Sequence, residues 1–295
     1  MKIATIIVNY NDEASTIKFV EKVSKYACID RVVVVDNKST TSFGFEKLKK
    51  LENEKISVLE SEKNGGYSYG NNFGIKFLEN ELEKYDYVII SNPDVIIEKK
   101  AINRCLEVLE KQKEVAVIAP RMYNGKNIPI RRSSWKIRTF MLDVIHSTRL
   151  LELIFYKVLR NGEYSENDYK KELLEVDAIS GAFFIMRYEA YKQIQKFDES
   201  TFLFYEEDML AKKLKELNYK TYSLNTEKFI HLESQSIGKT FSYYKKINQL
   251  YKAKIYYHKN YNNINKMQIF IFGILNIFRK IELLIEIPIR KLLKK

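Results

Sequence analysis

The sequence predicts an α/β fold with a mostly parallel, buried central sheet and a helical C-terminal extension. Three observations predict it. Short runs of β-branched residues recur, with helix-length amphipathic stretches between them. The runs are apolar throughout rather than alternating, the pattern of strands covered on both faces. After residue 240 the composition changes to aromatics, lysines and then a long apolar helical pattern.

The elements follow in order. Residues 2–9 read as the first strand, and 12–26 as a helix through Ile17, Val20 and Val23. Residues 31–36, 56–60 and 87–90 are further strands, with a helix over 69–82 between the last two. A helix over 99–112 and a strand over 115–119 complete the alternation. Residues 121–135 read as irregular or as a short β segment holding Trp135, 136–160 as helical, and 161–171 as a polar loop. Residues 176–187 read as one strand, 207–217 as a helix, and 219–224 and 229–231 as two closing strands. In such sheets ligands sit outside the carboxyl ends of the strands. That draws attention to Asn9 and Tyr10, Asp36 and Asn37, and residues 91–94.

Composition narrows the class. At about 150 residues per domain, 295 residues make roughly two domains, or a large one with an extension. With 45% hydrophobic and 30% charged residues the chain is not a disordered polymer, and 10 Gly with 4 Pro exclude collagen-like or Pro-linker architectures. Cys28 and Cys105 are too few for a disulfide scaffold and are spaced for neither a zinc ribbon nor a redox pair, so a reducing cytosol is expected. The apolar run at the N-terminus is too short for a signal peptide, and export is not expected.

Charge is unevenly placed. The net +12 lies almost wholly in residues 239–295, where 13 Lys and Arg face only Glu282 and Glu286, a local +11. A near-neutral body with a basic tail points to an anionic surface partner; a solvated basic helix is the plainer alternative. The tail opens with seven aromatics between Phe241 and Tyr261. Residues 266–287 are strongly apolar, but their longest uncharged stretch is 12 residues, against about 20 for a spanning helix. At 100° per residue, Gln268, Asn276, Arg279, Lys280, Glu282 and Glu286 share one face, and Pro288 is expected to end the helix. This is an interfacial pattern; packing on the body or on a second subunit is the alternative.

Several constellations carry chemistry. Asp36, directly after four valines, can accept from ribose hydroxyls or a base N–H, while Asn37 or Ser39 could simply cap a helix. Asn92 and Asp94 flank Pro93 at a strand exit, an oxygen pair suited to a divalent cation or to a plain turn. Glu206, Glu207 and Asp208 open a helix after an aromatic stretch. Acids are favoured there by the helix dipole, and aromatic surroundings raise a carboxyl toward general-base use. The run from Asn64 through Gly65, Gly66, Tyr67, Gly70, Asn71 and Asn72 brings backbone close to a ligand, but is neither a P-loop nor a dinucleotide fingerprint. His146 and His258 lie in helical patterns and read as structural or solvated, whereas His231 ends a strand.

In this order the motifs resemble the family 2 glycosyltransferases, nearest to the rhamnosyltransferase-like and bacterial capsular or O-antigen branch. The matching pieces are residues 8–11, 35–39, 64–72, 92–94, 180–184, 197–207, and His231 with Ser236. The resemblance implies a GT-A fold over residues 1–240, with 241–295 as a membrane-surface extension. It implies an inverting transfer from a nucleotide-diphosphate sugar, UDP- or dTDP-linked, to a glycan or lipid-linked glycan hydroxyl. Asp94 matches the metal-binding aspartate for Mg²⁺ or Mn²⁺, with Asn92 in place of the usual first Asp and His231 assisting. Asp36 matches the nucleoside-holding acid, beside Asn9 and Tyr10; Asn64, Tyr67, Asn71 and Gly181 fall in the donor-binding motifs. Glu207 matches the general base, paired with Glu206; a Glu where many members have Asp lengthens the reach, and Met209 replaces a further acid. The implied location is the cytoplasmic face of the plasma membrane, with a homodimer through the extension as alternative. A nucleotidyltransferase would carry a Gly-rich, basic signature near the first strand, where this chain has Asn9, Tyr10, Asn11 and Asp12. A non-catalytic protein gripping nucleic acid through its tail is disfavoured, because nucleic acid offers the apolar helix no partner.

Overall fold

The structure is a computed structural model that describes residues 1–81, 84–155, 162–232 and 243–292. The first half follows the predicted alternation, with α2 and β5 added to it: β1 (Ile3–Asn9), α1 (Glu13–Val23), β2 (Arg31–Asp36), α2 (Gly44–Lys49), β3 (Ile56–Glu60), α3 (Tyr67–Glu79), β4 (Tyr87–Ser91), β5 (Val95–Ile97), α4 (Lys99–Lys111) and β6 (Val115–Asn124). Next come β7 (Ser134–Trp135), α5 (Phe140–Ile145), α6 (Arg149–Ile154), β8 (Leu173–Val176), β9 (Ala178–Ile179), β10 (Phe183–Arg187), α7 (Tyr188–Gln193), α8 (Glu206–Glu216) and β11 (Lys220–His231). Helices α9 (Tyr243–Tyr261) and α10 (Lys266–Leu292) end the chain.

The main sheet runs β3-β2-β1-β4-β10-β6-β11-β5, with β8 also on β11. Strands β1 to β4 pair with one another in parallel; β10 is antiparallel to both β4 and β6. Chain order reverses at β1, with β2 on one side and β4 on the other, so a crevice opens at their carboxyl ends. Period-2 alternation divides the valines of β2: Val32 and Val34 face a core closed by α1 and α4, Val33 and Val35 one closed by α3, α7 and α8. Both layers are apolar, which is why these strands read as continuous hydrophobic runs.

Five sequence expectations are corrected. The expected irregular stretch begins late, because β6 continues to Asn124 alongside β11. The two closing strands are the single strand β11, whose register shifts between Leu224 and Lys228; that bulge is what broke the apolar pattern. The strand expected over 176–187 is three pieces, broken at residues 180–182 where the chain turns at the carboxyl edge. The helix expected over 136–160 is two short helices, each started by a threonine side chain, Thr139 and Thr148, accepting from a backbone N–H three residues on. Pro288 does not end α10, which continues to Leu292; a proline one turn from a helix end forfeits one hydrogen bond without stopping it. Residues 156–161, Ser236 and Phe241, which the sequence reading used, lie outside the described residues.

Candidate active site

The carboxyl edge gathers the predicted donor residues. Asn9 and Asp36 are paired neighbours at the ends of β1 and β2. Both are buried, and Asn9 Nδ2 donates to Asp36 Oδ1 at 2.8 Å. Ser39 binds the same carboxylate through its backbone N–H at 3.2 Å and through its hydroxyl. Asn9 Oδ1 in turn accepts from Thr16 Oγ1 at 2.9 Å. Asn9 therefore orients Asp36, while half-buried Tyr10 follows it at the strand mouth.

The glycine run shapes the adjoining wall. Asn64 Oδ1 accepts from Asn37 Nδ2 at 3.1 Å and from Gly66 N at 3.3 Å. Gly66 has φ of 89°, and a Cβ there would lie 2.0 Å from the Phe202 carbonyl oxygen, so only glycine fits. Asn71 Nδ2 donates to the Tyr67 carbonyl at 3.0 Å, and its buried Oδ1 has no hydrogen-bond partner among the described residues.

At the end of β4 the turn places Asp94 against β11. His231 Nε2 lies 3.2 Å from Asp94 Oδ1, and the Leu232 N–H donates to the Asp94 carbonyl at 3.0 Å. A carboxylate and an imidazole facing each other suit a Mg²⁺ or Mn²⁺ ion that takes its other ligands from phosphate and water. No group of three or more His, Cys, Asp or Glu with metal-holding geometry occurs among the described residues. The donor set thus fits a cation completed by a bound diphosphate, not a closed structural site.

The loop at 180–182 joins this corner to the acids of α8. Asn92 N–H donates to the Ala182 carbonyl at 2.8 Å, while Gly181 N–H donates to Glu207 Oε1 at 3.0 Å and the Gly181 carbonyl accepts from Tyr67 OH at 2.7 Å. A Cβ on Gly181 would sit 3.0 Å from both Glu207 Oε1 and Tyr67 OH. Burial and the neighbouring glutamates push the Tyr67 phenol well above its ordinary range, so it stays a neutral donor. The chain enters α8 through Phe204 and Tyr205, both left-handed at φ 79° and 69°. Bulky residues hold such angles only where their surroundings enforce them. Burial, then the like charge of Glu207, drives the Glu206 carboxyl far up; its Oε1 has no hydrogen-bond partner among the described residues. Burial also raises Glu207, opposed by the Gly181 N–H. Of the two, Glu206 is driven up further, while the Gly181 N–H favours the charged form of Glu207 alone.

Sequence reasoning missed a buried polar cluster behind these acids. Asp208 accepts from Trp135 Nε1 and from Arg138 N, each at 3.2 Å. Arg138 also bonds Asp143 at 2.9 Å, and Asp143 accepts from Tyr205 OH at 2.6 Å and pairs with His258 Nε2 at 2.8 Å. Asp143 and His258 are fully buried, and Lys254 donates to the Asp143 carbonyl at 3.1 Å. Burial pushes Asp208 up to about 7 and lowers Lys254 to about 8, whereas the His258 bond with the Arg138 and Lys254 charges overcomes burial and keeps Asp143 well below the carboxylate range. Helix α9 is thereby seated on the catalytic body, with Tyr257 and Ala253 against Tyr205 and Met209. His258 proves structural, one of the two roles its helical pattern suggested. Its partner Asp143 lies 115 residues away, which no local pattern reveals.

Comparison with known proteins places the family and the fold. The family model described as Glycosyl transferase family 2 matches residues 5–195. The low-salt glycan biosynthesis hexosyltransferase Agl10 of Haloferax volcanii is 30% identical over 205 residues, covering 70% of this chain and 59% of Agl10, so the chain spans about three fifths of that relative. Among solved structures, GalNAc-T7 with UDP, GalNAc and Mn²⁺ superposes with TM-score 0.59 at 16% identity, covering 78% of this chain and 43% of that one. The mannosyltransferase PcManGT of Pyrobaculum calidifontis, with GDP-Man and Mn²⁺, gives 0.58 at 12% identity, covering 90% and 65%. These likenesses establish the GT-A fold, and the family match over residues 5–195, well over half of the chain, establishes membership: the chain belongs to glycosyl transferase family 2.

Proposed function

We propose that the protein is an inverting glycosyltransferase that moves a sugar from a nucleotide-diphosphate donor to a hydroxyl of a growing surface glycan. The observation that carries this reading is the 180–182 loop, bonded on one side beside Asp94 and on the other to Glu207. The nucleoside, uridine or thymidine, lies at the mouth of β1 and β2 against Asp36 and Tyr10. Asp94 and His231 hold the divalent cation, which when bound offsets charge on the leaving diphosphate. Glu207 accepts the proton of the acceptor hydroxyl as its oxygen bonds the anomeric carbon and the bond to the diphosphate breaks. Neutral Glu206 and Tyr67 line the same wall without adding a competing charge. The Mn²⁺ bound with UDP and GalNAc in GalNAc-T7, and with GDP-Man in PcManGT, supports a cation-assisted donor site.

The acceptor we infer is a lipid-linked glycan at the anionic cytoplasmic leaflet. The basic residues 239–295 and the exposed apolar side of α10 support it. Residues 1–240 form the catalytic unit in this reading, and 241–295 an extension seated on it.

Calorimetric titration with UDP, dTDP and GDP, with and without Mn²⁺, tests the donor site. Wild type should bind at least one of them in a cation-dependent manner, and Asp94→Ala should weaken that binding by about tenfold or more, as for a lost charged ligand. Equal binding without metal overturns the cation site; no binding of any nucleotide diphosphate overturns the donor reading.

A further inference from the structure

Helix α10 leaves a long apolar side uncovered. Its protein-facing side centres on buried Phe272 and Leu283, with half-buried Gln268, Asn276, Arg279, Lys280, Glu282 and Glu286 around them. Met267, Phe270, Ile274, Ile277, Phe278, Ile281, Leu284 and Ile285 form a continuous outward stripe at helical spacing, with Phe270 67% and Leu284 64% exposed. Helix α6, which the sequence reading did not separate, is built the same way: Leu150, Leu153 and Ile154 are exposed and none of its residues is buried. The two helices are joined by Glu282, whose carboxylate accepts from the Arg149 N–H at 2.8 Å and the Leu150 N–H at 3.0 Å, the free amides at the start of α6.

We propose that α6 and α10, latched by Glu282, form a single docking face for an anionic bilayer, so that the membrane contact extends from the C-terminal helix onto the catalytic body. This rests on the peripheral-membrane reading above and adds to it a second inserting element and an orientation. The exposed apolar area is too continuous for an ordinary soluble surface. Charge decides the occupant. Residues 239–295 carry +11, and the acids Glu282 and Glu286 are both engaged by Arg279. A second copy would bring the same +11 to the interface, whereas an anionic lipid surface neutralises it. No helix among the described residues is long and apolar enough to cross a membrane, so α10 lies along the surface. The segment before α6 carries Asp143 and Arg138, which grip Tyr205 and Asp208 at the head of α8. The docked face is therefore tied to the helix bearing Glu207.

The test is vesicle co-sedimentation of the full chain, using phosphatidylcholine alone and phosphatidylcholine with about one third phosphatidylglycerol. Three proteins are compared: wild type, an α6 variant (Leu153→Asp with Ile154→Asp) and an α10 variant (Phe270→Asp with Leu284→Asp). All four positions are exposed, and circular dichroism melting confirms that each variant folds. Wild type should bind the phosphatidylglycerol vesicles preferentially, and each variant should lose about fivefold or more of that affinity. If only the α10 variant loses binding, the shared face is overturned while the peripheral-membrane reading stands. If wild type binds neither vesicle, both are overturned; light scattering that shows a dimer broken by either variant then assigns the face to a second copy.

Discussion

Asp208 sits beside the proposed base yet touches only protein, and its ionisation links the site to stability. Burial raises its carboxyl to about 7, against an ordinary value near 4. Between those values the folded state keeps a proton that the unfolded state has lost, so stability falls as pH rises through that window. The loss is at most about 4 kcal/mol, from roughly three units at 1.36 kcal/mol each. In Asp208→Asn an amide oxygen can still accept from Trp135 and Arg138, and the part of the decline that Asp208 contributes disappears. Urea denaturation at about pH 5 and pH 7.5 measures it: wild type should lose stability relative to the variant, and parallel behaviour of the two would refute the assignment. The carboxylates themselves were legible as a motif. Their unequal surroundings were not, because the Gly181 N–H that bonds Glu207 alone is brought there by a distant turn.

At the scale of elements, β1 to β4 and helices α1 and α3 were legible because each is a local hydrophobic pattern with the right period, whereas the short α2 was not read. What escaped were elements whose logic is tertiary. Strand β11 hides its continuity behind a bulge, and α5 and α6 are short helices fixed by partners far along the chain. Helix α9 is the clearest case, since its pattern left His258 structural or solvated and gave no sign that His258 and Lys254 are buried against the segment holding Asp143. His258→Ala strands that carboxylate in a dry interior with its remaining partners alone. Chemical denaturation should register a loss of about 3–5 kcal/mol, as for other broken buried pairs. His258→Gln, which keeps an N–H donor, should recover part of it. A loss under about 1 kcal/mol for His258→Ala would mean that α9 is not held by this pair.

For the whole molecule, the reversal of strand order at β1 explains why the candidate site residues converge. Asn9, Asp36 and Asp94 come from strand ends that the parallel sheet aligns, and the antiparallel β10 delivers Gly181 to the same edge. The sequence reading placed Asn9, Asp36 and Asp94 at strand ends, but it put Gly181 inside a strand and could not say that β10 bridges this edge to α8. The outward apolar stripe of α10 was legible as amphipathic, though its orientation needed the Glu282 bonds to α6. The account as a whole turns on catalysis by Glu207 at this edge. Its most direct test is release of nucleotide diphosphate from a panel of UDP-, dTDP- and GDP-hexoses, in the presence of membrane lipid extract, by wild type and Glu207→Gln. Wild type should turn over at least one donor, and the variant should bind nucleotide diphosphate normally while turning over roughly a hundredfold or more slowly. Turnover by Glu207→Gln within a few-fold of wild type would contradict the account.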